Sequence, residues 1–330
     1  MIKTGVFSGR EVYEYTLTNT IGMKITVLNY GGTITGIYVP LSGGGTKNIV
    51  LKYDDYDEYE INPYYFGCII GRTAGRISGG SFTAGAETYS VLQNEGVNHL
   101  HGGIKGFAHT FFEVEQKENS LILTCVSPDG EDGYPGNVKL EVTYTLTAEN
   151  ELLINYKAVT DKITPLNLTN HTYFLLEDES VENHRLFLNS SAFYSLDEAS
   201  LPKRLIDVVK GNLFDFKKGR YLQEVFTSND PHTEAAGGGL DHPFLLDSGN
   251  PAGEIVHPES GRKVIIETDQ PAAVIYTGNF IADSVSVNGK PGKGYGGICF
   301  ETQEVPDRVE SILVSPEKIY RQRTVFRFSF

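Results

Sequence analysis

Tryptophan is absent from this chain and methionine occurs only twice, so the bulk of a core must come from aliphatic residues and from 19 tyrosines and 18 phenylalanines. Cysteine is nearly as scarce. Cys68, Cys125 and Cys299 lie far apart without a Cys-x-x-Cys pair, and an odd, scattered count argues against a disulfide framework and against a thiolate metal site. A reducing cytoplasm fits that usage. Positive charge is in short supply, with 28 Lys and Arg against 42 Asp and Glu, a net charge of −14. Nucleic acid and anionic membranes would be repelled by such a surface, which leaves a neutral small molecule as the natural ligand. No apolar run approaches the ~20 residues of a membrane span, and residues 1–10 lack the basic start and apolar core of an export signal.

Helical periodicity is weak throughout; alternation takes its place. In Val138-Lys139-Leu140-Glu141-Val142-Thr143-Tyr144-Thr145-Leu146 every second residue is apolar, the signature of a strand with one buried face. Leu152, Ile154, Tyr156 and Ala158 repeat the device after the short connection Ala148-Glu149-Asn150, which predicts a hairpin. Phe326, Phe328 and Phe330 repeat it at the end. Further strands are predicted over Lys24 to Leu28, Thr33 to Tyr38, Leu121 to Val126, Arg185 to Leu188, Val264 to Thr268, Val274 to Tyr276 and Gly297 to Glu301. Thirty-six glycines and fourteen prolines are dispersed between these strands, as many tight turns require. The expected fold is all-β, a large antiparallel β-sandwich forming a single domain over residues 1–330. Residues 41–48, 229–240 and 286–297 are expected to be surface loops.

Three separated segments bring acid–base chemistry: Asn98-His99-Leu100-His101-Gly102-Gly103, Asn170-His171-Thr172, and Phe300-Glu301-Thr302-Gln303. Imidazoles and a carboxylate converging from them could take a proton from one oxygen and deliver one to another. The same residue types also admit plainer readings. His99 and His101 could simply hydrogen-bond within a glycine-rich turn, although Gly102 and Gly103 would let a ligand approach the backbone. With His171 and Glu301 they would also suit a cupin-like metal site. His171 could be a satisfied core histidine, and Glu301 a strand-end carboxylate meeting solvent. Asp241, after the triple glycine at 237–239, is either a turn carboxylate or a grip for sugar hydroxyls. Arg72 and Arg76, two cations in an otherwise acidic chain, could simply be solvated. The glycines at 71, 75, 79 and 80 precede no helical pattern, which removes nucleotide binding from consideration.

Taken in order, the segments resemble the aldose 1-epimerases, the galactose mutarotases, along essentially the whole chain. Gly71 to Ile77 is similar to the family's Gly-Arg-x-Ala-Asn-Arg-Ile, Asn98 to Gly103 to its Asn-x-Leu-His-Gly-Gly, and Thr164 to Phe174 to its Thr-Pro-x-Asn-Leu-Thr-Asn-His-x-Tyr-Phe. Asp129 to Gly136, Leu240 to Phe244, Tyr276 to Asn279 and Glu301 to Gln303 complete the pattern. The resemblance implies a β-sandwich of supersandwich type with no cofactor and no metal. It makes His171 the general acid and Glu301 the general base, with Arg76, His101, Tyr173 and Asp241 holding the sugar and Arg72 second choice for the arginine. Three departures bear on sugar preference: Gly75 replaces the family's Asn, residues 175–178 follow His171-Thr172-Tyr173-Phe174 where the family often has Asn, and residues 306–310 drift from the usual ending.

The implied activity is interconversion of the α and β anomers of a reducing aldose, galactose or glucose, through ring opening and reclosure. Glu near ~4.3 and His near ~6.5 would hold opposite protonation states at neutrality, Glu charged and His partly protonated. The alternatives are a glycoside hydrolase using Glu301 and Asp241, a non-catalytic sugar-binding protein, or, within the family, an epimerase preferring a reducing disaccharide such as maltose. The partner is then a monosaccharide or such a disaccharide, and the protein a cytoplasmic monomer or homodimer.

Overall fold

The hairpin read from alternation forms with the expected bounds at Val138–Leu146, followed by Glu151–Thr160, in a register that sets Leu146 opposite Leu152 and Tyr144 opposite Ile154. These pairs bury one face while Lys139 and Lys157 stay on the other. In the computed structural model, which describes residues 1–177 and 179–330, this hairpin lies within a nine-stranded antiparallel sheet. Asp178, at the end of the 175–178 departure, lies outside the described residues. The sheet runs from Glu113–Gln116 and Ser120–Ser127 through the hairpin to Tyr320–Ser329, then Lys263–Thr268, Gly253–Val256, Arg185–Leu188 and Arg220–Tyr221. Phe326 and Phe328 point into the core as expected; Phe330 lies past the strand end and is 41% exposed, because no ladder bond holds it inward.

A six-stranded sheet packs against it, in the order Tyr173–Phe174, Ile298–Gln303, Ala272–Tyr276, Asp241–Leu246, Ser190–Leu196, Pro202–Asp207. The two sheets share one apolar cluster that includes Phe174, Phe244, Ile275, Phe300, Phe326 and Phe328. Phe174 meets Phe326 with ring centroids 5.1 Å apart, and the Thr302 and Thr324 hydroxyls bond at 2.6 Å across the interface. A five-stranded sheet built from the first 48 residues adds further aliphatic side chains to this core. Among the described residues the α-helices are two five-residue turns, Leu222–Phe226 and Pro231–Ala235, and no helix is long and apolar enough to cross a membrane.

Two of the three predicted loops carry short strands, Thr46–Asn48 in the first and the hairpin Ser286–Val287 with Lys290–Pro291 in the third. The second contains the Pro231–Ala235 turn, capped by the Asp230 side chain accepting from the His232 amide. Strands of two or three residues have too few side chains for alternation to register, so they are invisible to periodicity.

Leu152 is fully buried in the shared cluster. Leu152→Ala is expected to cost about 2–5 kcal/mol of unfolding free energy, read as a lower urea midpoint with an unchanged m-value.

Candidate active site

Strand periodicity decides which side chains meet. On Ile298–Gln303, Ile298 and Phe300 pack into the core between the sheets, so Cys299, Glu301 and Gln303 face the opposite way. The register places Tyr173 and Tyr276 on either side of Cys299, Asp241 beside Tyr276, Val274 beside Glu301, and Pro243 beside Val274. These residues form two adjacent rows on the outer face of the six-stranded sheet, and the segments around Tyr65, Arg76 and His101 cover them. Between them lies a cavity of about 280 Å³, lined by all six residues proposed from the sequence.

His171 reaches this cavity from another pairing. Thr169–Asn170 pairs with Ile69–Ile70, and the His171 backbone continues it, donating to the Cys68 carbonyl at 2.9 Å and accepting from the Gly67 amide at 3.0 Å. Asn170 turns away from the cavity, donating to the Gly67 carbonyl and accepting from the Thr172 amide and hydroxyl. His171 Nε2 lies 3.5 Å from Glu301 Oε1, and its Nδ1 is 3.4 Å from the Cys299 sulfur. The two residues are 3% and 2% exposed. Glu301 Oε2 and Gln303 Nε2 are buried without hydrogen-bond partners, two polar atoms ready to bond a ligand hydroxyl.

Burial shifts both groups toward their neutral forms. It lowers His171 to about 4, and it pushes Glu301 well above the carboxylate range, with Asp241 adding to the rise and Arg76 opposing it. Both shifts favour the neutral side chain, where reference values alone suggested a charged Glu and a partly protonated His. The neutral pair and the carboxylate–imidazolium pair hold the same number of protons. One transfer across the 3.5 Å gap interconverts them.

His101 completes the group, with one ligand atom from each of His101, His171 and Glu301 lying within 4.8 Å of the others. Its backbone adopts φ +53, its amide donates to the Gly75 carbonyl, and its Nδ1 accepts from the Gly75 amide at 3.1 Å. Burial, then His171 and Arg76, hold it well below its usual pKa, so it is neutral and carries its proton on Nε2. The same trio offers nitrogen and carboxylate donors of the kind a metal uses, with Nδ1 of His101 already engaged. Arg76 is held by Glu95 through Nε and Nη2, each at 2.6 Å. Tyr65 stands against His101 and His171 with centroids 4.8 and 6.0 Å away.

Several expectations are corrected. His99 does not join His101, because the left-handed backbone at 101 breaks the strand and separates their directions; His99 bonds the Leu92 carbonyl and the Tyr134 hydroxyl. Arg72 neither faces solvent nor reaches the cavity. It is 2% exposed and its five N–H groups reach six acceptors, Ser127 Oγ, Thr164 Oγ1 and the carbonyls of Ser127, Pro128, Pro135 and Gly136, and burial brings it down to about 10. Gly102 admits no ligand; a Cβ there would lie 1.9 Å from the Gly71 carbonyl oxygen, so it is the backbone at 71 that approaches. Tyr173 lines the cavity with its ring, its hydroxyl being committed to the Tyr64 carbonyl at 2.9 Å. At Gly75 a Cβ would meet the Pro306 ring at 2.6 Å, so two of the departures from the family pattern touch in space.

Cys299, Tyr276, Tyr65 and Glu95 were not singled out as site residues from the sequence. Two-residue spacing from Glu301 would have found Cys299, and nothing in the sequence points to Glu95.

The family model for aldose 1-epimerase matches residues 13–327. The chain belongs to the aldose 1-epimerase family. It is 36% identical to galactose mutarotase of Bos taurus over 93% of this chain and 91% of that one, and 32% identical to aldose 1-epimerase of Escherichia coli K12 over 88% and 86%. The crystal structure of galactose 1-epimerase from Lactobacillus acidophilus superposes with a TM-score of 0.89 at 33% identity, covering 99% of this chain and 97% of that one. Membership makes the protein an isomerase on a galactose mutarotase-like β-sandwich.

Asp241 also lies beside the cavity, and burial pushes it up to about 7, with Arg76 pulling down and Glu95 pushing up. A carboxyl raised on folding favours the folded state below its ordinary pKa and loses that contribution as pH rises through 7. Asp241→Asn is therefore expected to unfold at a higher temperature than the unmodified protein at pH 8, with the difference closing toward pH 4 in a calorimetric series.

Proposed function

We propose that this protein interconverts the α and β anomers of a reducing aldose of the galactose or glucose type. The observation carrying this reading is the buried His171–Glu301 pair, 3.5 Å apart in a cavity of sugar-accepting size. Glu301, as carboxylate, takes the C1 hydroxyl proton; the C1–O5 bond breaks with its electrons going to O5, which receives a proton from the His171 imidazolium. Rotation about C1–C2 turns the other aldehyde face to O5. On reclosure O5 attacks C1 and gives its proton back to His171 while Glu301 returns its proton to O1, so both groups end as they began.

The raised proton affinity of Glu301 suits a base that must compete for a weakly acidic hydroxyl, and the lowered affinity of His171 suits a donor. Transfer within the pair prepares both at once, without net charge entering the cavity. Neutral His101 donates from Nε2 toward the oxygen that gains charge, Arg76 and Asp241 hold hydroxyls, and the Tyr173 ring forms a wall. Each positioned acid or base is worth about 10²–10⁴-fold in rate. The family match weighs against the hydrolase alternative, since the relatives are named galactose mutarotase and aldose 1-epimerase.

Phe280 favours a second reading, in which a reducing disaccharide is also accepted. Its ring is 65% exposed at the cavity mouth and lies over Gly237, where a Cβ would come within 2.3 Å of it. A second sugar ring can stack there.

Polarimetry of fresh α-galactose and α-glucose tests the first reading. Glu301→Gln and His171→Asn are each expected to lose 10²–10⁴-fold in kcat with sugar binding retained, and His101→Asn to lose less. Near-normal rotation rates in Glu301→Gln or His171→Asn would overturn the role assignment, and loss of activity on chelation would favour the metal-dependent alternative. For the second reading, Phe280→Ala is expected to lower kcat/KM for maltose severalfold while leaving glucose unchanged; equal effects on both sugars would remove the platform.

A further inference from the structure

One charged side chain outside these roles reaches the site from its rim. Glu95 sits in a tight turn closed by reciprocal backbone bonds with Asn98, Glu95 amide to Asn98 carbonyl at 3.1 Å and the reverse at 2.9 Å. The Asn94 side chain pins that turn to both backbone groups of Leu100, and Leu100 is the ladder partner of Arg76. Backbone pairing therefore sets Glu95 opposite the arginine, and its carboxylate closes a two-point clamp on Nε and Nη2 at 2.6 Å each. The Arg76 side chain is 19% exposed and that of Glu95 37%.

We infer that Glu95 is a positioning residue for the proposed reaction, fixing the plane of the Arg76 guanidinium in the cavity wall and dividing its charge among three carboxylates. An arginine has five N–H donors, and the clamp uses one from Nε and one from Nη2. Both Nη1 hydrogens and the second of Nη2 are left for Asp241 and a sugar hydroxyl. A planar fork held at two points cannot rotate, so those donors keep a fixed direction.

The clamp also has an electrostatic effect. Arg76 is the one cation among Glu95, Asp241 and Glu301, each of which favours its charge while burial opposes it. A guanidinium already paired with Glu95 stabilises negative charge on the other two less than a free one would. Asp241 and Glu301 both feel Arg76 lowering their proton affinity, and Asp241 feels Glu95 raising it. The other titratable groups facing this cluster include the His101 and His171 imidazoles, the Tyr65, Tyr173 and Tyr276 phenols, the Cys68 and Cys299 thiols and His242, whose Nδ1 accepts the Asp241 amide proton. Glu95 is the member of the set nearest solvent whose charge can be removed without touching the proton-transfer pair. Its presence keeps the cavity carboxyls good proton acceptors, as a base facing a sugar hydroxyl must be.

The inference rests on the proposed epimerase chemistry, so the experiment begins with wild-type mutarotation and continues with pH–rate profiles for Glu95→Gln and Glu95→Asp. Glu95→Gln keeps the size and removes the charge. The acid limb of its kcat/KM profile is expected to move down by roughly half to one pH unit, because a nearby negative charge no longer holds protons on the cavity carboxyls. Glu95→Asp keeps the charge but shortens the reach, and is expected to raise KM severalfold with the acid limb near its wild-type position. Thermal unfolding of both variants confirms that they fold. A Glu95→Gln limb that coincides with wild type, or equal losses in both variants with neither limb moved, would overturn the positioning role and leave Glu95 as turn structure. Absence of mutarotation in the wild-type protein would instead overturn the epimerase reading beneath it.

Discussion

A carboxyl and an imidazole only 3.5 Å apart and almost wholly withdrawn from water set the terms for everything around them. Water would stabilise their ionised forms, and its exclusion pushes both toward the neutral form, Glu301 by raising its proton affinity and His171 by lowering it. The pair tolerates burial because its two protonation arrangements carry the same net charge of zero. A single buried carboxylate would need a permanent counter-charge, whereas this pair needs only a partner that can take its proton. The sandwich supplies the dry setting: the strand carrying Glu301 is covered on one side by the nine-stranded sheet and on the other by the cavity-forming segments.

Around that pair the remaining groups are held by backbone. The Gly75 amide fixes the tautomer of His101, the 67–68 peptide fixes the position of His171, and the Arg76–Leu100 ladder brings Glu95 onto Arg76. Backbone contacts of this kind leave little rotamer freedom to be lost when a ligand arrives. Arg72 does comparable work one step further out, gathering carbonyls from 127, 128, 135 and 136 and so tying the segment at 127–136 to the turn that carries Arg76. Neighbouring arginines in one sequence motif thus divide into a structural staple and a cavity-wall cation.

How much could be seen beforehand follows from how each element is buried. Val138–Leu146 has one wet face and one dry face, so its alternation was legible and its bounds came out to the residue. Ile298–Gln303 is buried on both faces at all six positions, and a strand with no wet face has no hydropathy alternation to announce which side chains look into the site. His99 and His101 illustrate a second blind spot. Two-residue spacing implies a shared face only while the backbone stays extended, and the positive φ at 101 breaks that premise. The family resemblance named His171, Glu301, Arg76, His101, Tyr173 and Asp241, and all six line one cavity; it carried no information on Glu95 or on the contact of Gly75 with Pro306.

From its residues alone the chain specified an all-β sandwich, the hairpin at its centre and the family to which it belongs, because hydropathy alternation, turn residues and ordered motifs are local properties that survive being read one segment at a time. Protonation, by contrast, is not a local property. Whether Glu301 is charged, which arginine meets the cavity, and what holds that arginine in place depend on water exclusion and on groups distant in the chain. Those are set only when the sheets close on one another, since the dielectric around a side chain and the charges beside it belong to the packed structure and not to any segment of it.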